Sequence, residues 1–268
     1  GETVERLNRM VCPDGLIVQD LALVELAGHA GFSGEIHLST LANVSFAKAV
    51  GVAAGLGADR AVLPRELSID EIRAVADGCP PGFGLEVFVH GALCYGVSGR
   101  CYWSSYLGGK SGLRGRCVQP CRRRYVQDGT QGRLFSCLDL SLDVLVKVLK
   151  TVPQVKAWKI EGRKKGPHYV YYTVRAYRML RDHGADPAAK KEALSLLSYA
   201  LGRPGTHYRF LSQRPWNPVS QDGQTGSGLM VGRLKGAGKK ADLVPKIDLL
   251  AGDVLRVGYE DEPWHGVH

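Results

Sequence analysis

Apolar residues in this chain come in short runs that alternate between two rhythms. GLIVQD (Gly15 to Asp20), EIHLST (Glu35 to Thr40), RAVLPREL (Arg60 to Leu67) and GLEVFVHG (Gly84 to Gly91) are compact and β-rich. Bounded runs of this kind suit strands of a buried parallel sheet. Between them, LALVELAGHA, the Ala- and Val-rich stretch from Asn43 to Ala54, and IDEIRAVADG have helical character. Ser68, with Glu71 three residues on, forms a capping box ahead of the last of these. Further along, RLFSCLDL (Arg133 to Leu140) and VKAWKIEG (Val155 to Gly162) read as strands. Helices are predicted near Leu142 to Lys150, over His168 to Arg181, and from Pro187 through Tyr199. Gly1 to Met10 has no clear pattern.

Strands alternating with helices imply a parallel sheet with helical crossovers, either a (β/α) barrel or an open doubly wound sheet. Strand after strand ends in polar residues: Gln19 and Asp20, Ser39 and Thr40, Arg65 and Glu66, His90, Asp139, Glu161. Parallel strands bring such ends to one rim, which in barrels is the catalytic face. The fold class expected is therefore a TIM-like (β/α) barrel over residues 1–204. The strand count falls short of a closed barrel, so its N-terminal strands are expected to be missing or supplied by a partner. Beyond Leu201 the texture turns Gly-, Pro-, Ser- and Gln-rich. GLMVGRL, ADLVPKIDLL and DVLRVGYEDEP then predict a small, truncated β-rich domain, placing linker and domain at 205–268.

Charge changes this picture. The net charge is +9, which favours polyanionic partners. From Gly91 to Tyr125 the chain carries seven cations and seven glycines, and no Asp or Glu occurs from Val87 to Gln127. The same loop holds Cys94, Cys101, Cys117 and Cys121 in the spacing C-x6-C-x15-C-x3-C. Glycine at this density does not hold a long helix or a central strand, so a loop this long needs another organising element. Four thiolates on an iron–sulfur cluster or a zinc ion supply one, with the cations offsetting negative charge. The alternative is a set of buried thiols. Seven cysteines in a chain without a signal-peptide pattern argue for a reducing, cytoplasmic setting rather than a disulfide framework. No apolar run approaches a membrane span.

The run EVFVHGALCYGVSGRCYWSS, with GGKSGLRGRCVQPCRRRY behind it, resembles peptidase family U32, the collagenase-like peptidases. LIVQDLALVEL, IHLSTLANV, LPRELS and KIEGRKKGPHYVYYTVRAYR are similar to the family's other recurring segments, in the same order. The resemblance implies a barrel whose first strands precede GLIVQD. It also implies, beside the protease label, oxygen-independent hydroxylases acting on tRNA, ribosomal RNA or a quinone precursor, some with prephenate as oxygen donor. Such members hold a four-iron four-sulfur cluster. By position its ligands here are Cys94, Cys101 and Cys117, with Cys121 or Cys137 as the fourth.

On this reading Glu161, Asp139 and His90 are the acid–base candidates. Arg65 and Arg163 suit a small carboxylate co-substrate or a phosphate, because a guanidinium fork binds two oxygens at once. Arg122, Arg123 and Arg124 are the expected contacts to tRNA or rRNA. Tyr102, Trp103 and Tyr106 either stack a flipped base or cover the cluster. Two other readings are a metal-dependent peptidase and a zinc-stabilised RNA-binding module. No HExxH or GxSxG motif occurs.

Overall fold

A computed structural model describes residues 1–162, 165–200, 204–213, 217–220, 231–236, 242–246, 248–249, 255–257 and 265–267. Its elements run α1 (Glu2–Met10), β1 (Gly15–Val18), α2 (Ala22–His29), β2 (Glu35–Leu38), α3 (Ala47–Gly55), β3 (Arg60–Val62), α4 (Ile69–Asp77), β4 (Gly84–Ala92) and α5 (Trp103–Gly108). There follow β5 (Tyr125–Gln127), β6 (Thr130–Gly132), β7 (Asp139–Ser141), α6 (Val146–Leu149), β8 (Val155–Ile160), α7 (Pro167–His183), α8 (Pro187–Ala200) and β9 (Gly205–Thr206). Two antiparallel pairs, β10 (Gly232–Lys235) with β11 (Asp242–Pro245) and β12 (Leu255–Val257) with β13 (His265–Val267), come last.

The helical crossovers α2, α3 and α4 set β1, β2, β3 and β4 side by side in parallel. The predicted capping box starts α4: Ser68 Oγ accepts from Glu71 N, and the Glu71 carboxylate accepts from Ser68 N at 2.7 Å. Ile69, Ile72, Val75 and Ala76 form the face of α4 that is buried. Each large apolar side chain so buried contributes roughly 1.5–3 kcal/mol. Strand β4 is the hub, buried along nearly its whole length. One edge pairs with β8 in parallel; the other pairs with β3 and then, antiparallel, with β7.

The sheet is open among the described residues, so the expected barrel is not closed there. Among the described residues β1 pairs only with β2, and β8 only with β4. The antiparallel β4–β7 pair has a local cause. The cysteine loop and the β5–β6 hairpin connect these strands, and without a helical crossover the chain returns in the opposite direction. Strand β9 then adds to β7 in parallel. Helix α1, unforeseen from apolar spacing, follows the helix dipole, with Glu2 and Glu5 in its first turn and Arg9 in its last. No helix among the described residues is long and apolar enough to cross a membrane.

Candidate functional site

The site is built where β4 ends. Glu161 N donates to His90 O at 2.8 Å, carrying the β4–β8 pairing one residue beyond β8. Gly91 adopts φ +115°, and a Cβ there would lie 2.6 Å from both Cβ and O of Glu161. Only glycine lets the strand approach Glu161 this closely. Tyr169, from the first turns of α7, donates its hydroxyl to Glu161 O at 2.6 Å. The Glu161 carboxylate accepts from Arg65 Nη2 at 2.9 Å, and the Arg65 guanidinium lies 3.6 Å from the centre of the Phe88 ring. Arg65 Nε is buried with no hydrogen-bond partner. Burial pulls the Arg65 pKa down, opposed by Glu161, Cys94 and Glu66. Glu161, Arg65 and Cys94, distant in sequence, thus come into one electrostatic neighbourhood.

Glu66 fastens the start of the cysteine loop to the sheet, accepting from Ser98 N at 2.6 Å and Ser98 Oγ at 3.0 Å. Cys94 and Cys101 face the same space, their sulfurs 4.0 and 3.2 Å from the point where a Gly96 Cβ would stand. Cys117 Sγ accepts from Ser104 Oγ and from Gln119 N, each at 3.3 Å. Cys94 is exposed, yet desolvation of its thiol, followed by Cys101 and Cys117, pushes the thiol up, opposed by the Gly96 backbone and Arg65. Cys121 is pushed up to about 11, first by burial, then by Cys94, Cys117 and Cys137, with Arg122 opposing. Cys94 thus feels the charges of Cys101 and Cys117, and Cys121 those of Cys94, Cys117 and Cys137. No disulfide joins any cysteine. Among the described residues no three His, Cys, Asp or Glu side chains stand close enough to hold a single metal ion. Cys12 and Cys79 lie elsewhere, after α1 and α4.

Other expected site residues occupy different ground. His90 is wholly buried, not at the rim. Its Nδ1 lies 3.2 Å from Tyr177 Oη, its ring packs between Tyr169 and Tyr177, and its Nε2 has no hydrogen-bond partner. Desolvation pushes its pKa down to about 4 despite Asp139 and Asp143 nearby. The ring is closed off from solvent, so His90 does not line an open rim as the sequence reading expected. Asp139, 1% exposed on β7, lies near His90 and Tyr169, where its charge helps to raise the Tyr169 phenol after burial. Arg163 lies outside the described residues.

Arg122 also departs from expectation. It is buried and donates to Ser136 Oγ at 3.1 Å, to Leu93 O at 2.8 Å and to Cys137 O. Its guanidinium cross-links the loop to the sheet and is not on the surface. Arg123 and Arg124 are exposed, as are Arg100, Lys110, Arg114 and Arg116. Trp103 packs with Tyr95, Tyr125 and Phe135, with ring centres 6.2, 5.9 and 5.0 Å away. That aromatic group braces the loop in place of secondary structure. Tyr169, Gly91, Ser104 and Glu66 were not singled out in this role by sequence reasoning. For Tyr169 a signal existed: with Thr173 and Tyr177 it repeats every four residues, the buried face of α7.

Several known proteins are similar to this chain. A collagenase of Porphyromonas gingivalis is 36% identical over 180 residues, covering 61% of this chain and 43% of the relative. A tRNA hydroxylation protein P of Helicobacter pylori is 30% identical over 230 residues, covering 80% and 54%. The 23S rRNA 5-hydroxycytidine C2501 synthase of Escherichia coli is 35% identical over 176 residues, covering 63% and 26%. The chain thus spans about half the length of the first two relatives and about a quarter of the third. The solved structure of the U32 peptidase Mk0906 matches with a TM-score of 0.39 and 16% identity, covering 62% of this chain and 61% of that one. The model of peptidase family U32 matches residues 2–218, which include every segment on which the resemblance rested. The chain belongs to peptidase family U32.

Proposed function

We propose that this chain carries the active centre of an oxygen-independent RNA hydroxylase with a four-iron four-sulfur cluster on Cys94, Cys101, Cys117 and Cys121, Cys137 being the alternative fourth ligand. One observation carries the reading. In an acid-free, cationic loop, Cys94 and Cys101 face one space, and Cys94 lies in the electrostatic neighbourhood of Arg65, the partner of Glu161. The donor set fits such a group, since an all-thiolate set suits iron–sulfur clusters and sulfur-accepted hydrogen bonds, as at Cys117, tune them. When bound, the cluster supplies one-electron chemistry.

The chain's own residues do the rest. Arg65, desolvated and braced on Phe88, offers a planar fork to the carboxylate of a small co-substrate. Glu161 is held from three sides and keeps 35% of its side chain exposed, so its carboxylate can take and return a proton at Oε1, the oxygen not bonded to Arg65. The exposed loop cations attract RNA. The relatives named for tRNA hydroxylation and 23S rRNA hydroxycytidine synthesis support RNA as the substrate class. The collagenase relative supports peptide cleavage as the second reading.

Anaerobic purification with iron, sulfide and zinc counted, followed by nucleoside mass spectrometry of tRNA and rRNA treated with the protein, tests this. Iron and sulfide in matched amounts and a nucleoside heavier by one oxygen are expected. Zinc alone, or gelatin cleavage with unmodified RNA, would overturn it.

A further inference from the structure

Helix α5 has two unlike faces. Inward, Trp103 joins the aromatic group of Tyr95, Tyr125 and Phe135, and Ser104, 1% exposed, holds Cys117 Sγ and Val118 N. Outward, Tyr102 is 68% exposed and Tyr106 is 87% exposed. Tyr102 caps the N-terminus of α5 and Tyr106 lies within it, so two exposed rings flank one short helix four residues apart. Gly109, at φ +58°, ends α5 and turns the chain toward Lys110. The turns Gly112–Arg114 and Pro120–Arg122 pack against the same helix. They bring exposed Arg114, Arg116 and Arg123 to its surroundings, and no acidic residue interrupts the chain from Val87 to Gln127.

We infer that Tyr102 and Tyr106 form a stacking platform for unpaired bases of RNA, framed by the loop cations. Resting on the RNA reading above, this narrows the partner to single-stranded or looped-out nucleotides. Two observations set the class. The segment that frames the rings is cationic and carries no acidic residue from Val87 to Gln127, which suits phosphates and disfavours basic peptides. The rings stand out from the surface with their faces uncovered, where a base can lie flat on them. A duplex keeps its base faces stacked inside and offers nothing to such rings. The same platform keeps the RNA strand close to the cysteine loop, because α5 is tied through Ser104 to Cys117.

Anisotropy titration of the whole chain with a labelled single-stranded RNA and a blunt duplex of equal length tests this. Tyr106→Ala is expected to weaken single-strand binding about tenfold. Tyr102→Ala should act in the same direction, while Tyr106→Phe, which keeps the ring, should bind as the parent does. Duplex affinity and the slope of log Kd against log salt should not change, because no phosphate contact is removed. Unaltered thermal unfolding verifies that each variant is folded. Equal loss for duplex and single strand, or no loss for either, would overturn the platform and leave the RNA reading standing. A folded parent that binds neither RNA, or binds poly-glutamate through these tyrosines instead, would overturn both.

Discussion

Arg65 and Glu161, 96 positions apart, meet at 2.9 Å where the chain leaves β3 and β8. The arginine side chain is 14% exposed and the glutamate 35%, so the two ends of the pair are unequal. Removing Glu161 strands a desolvated guanidinium; removing Arg65 leaves a carboxylate that water can reach. Glu161→Gln should therefore destabilise by roughly 1–3 kcal/mol, below the ~3–5 kcal/mol of a fully buried pair. Arg65→Met should cost less, and the double variant should recover part of the Glu161→Gln loss. Urea unfolding of the four proteins measures this coupling. Strictly additive effects would contradict it.

Gly91→Ala places a methyl 2.6 Å from Glu161 at φ +115°. The backbone conformation alone costs roughly 1–3 kcal/mol, and the clash displaces Glu161. Both the denaturation midpoint and turnover should fall. An unchanged midpoint would mean the strand can move aside.

His90 makes stability depend on acid. Its pKa is pushed down to about 4 in the folded protein, below the ~6.5 of an unfolded histidine. Its contribution is complete above about pH 6.5 and is lost as pH falls from there through about 4, up to roughly 3 kcal/mol. Asp139, Asp143, Lys165, Tyr169 and Tyr177 are the ionisable groups around it. His90→Gln should flatten this part of the stability profile between pH 7 and pH 4, read by urea midpoints. A variant profile as steep as the parent's would assign the acid sensitivity elsewhere.

Arg122 and Arg123 are adjacent but should behave oppositely. Arg122→Ala removes donors from Leu93 O, Ser136 Oγ and Cys137 O. It should destabilise by about 1–3 kcal/mol or more. Arg123→Ala should leave the unfolding midpoint alone and lower the salt slope of RNA binding by about one unit. Equal behaviour of the two would contradict the burial difference.

The cysteines divide in the same way. Serine at Cys94, Cys101 or Cys117 should abolish iron and sulfide binding under anaerobic conditions, whereas serine at Cys12 or Cys79 should not. Separate Cys121→Ser and Cys137→Ser variants identify the fourth ligand by which one loses iron. Retained iron in the Cys94 variant would end the assignment.

Much of the first half was legible because its contacts are local. The capping box of Ser68 and Glu71, the apolar periodicity of α4 and the continuous run of β4 each express a short-range rule. The loop was legible as a loop, since glycine density and absent acids are properties of composition. His90 was misplaced because a polar residue at a strand end looks alike in sequence whether it faces a rim or an aromatic pocket. The facing α7 tyrosines decided that. Arg122 was misread for a similar reason: among adjacent arginines, nothing local says which one turns inward.

What the sequence determined by itself was the alternation of strands and helices, the gathering of four cysteines in one cationic loop, and the family. Each depends on spacing and residue type within a few turns of chain. Only the tertiary structure decided that the sheet stays open with β7 reversed, that Arg65 reaches Glu161 across the end of β4, and that Tyr102 and Tyr106 face outward while Trp103 faces in. Those outcomes depend on which edge a strand meets and which side chain finds a desolvated partner, and long-range packing sets both.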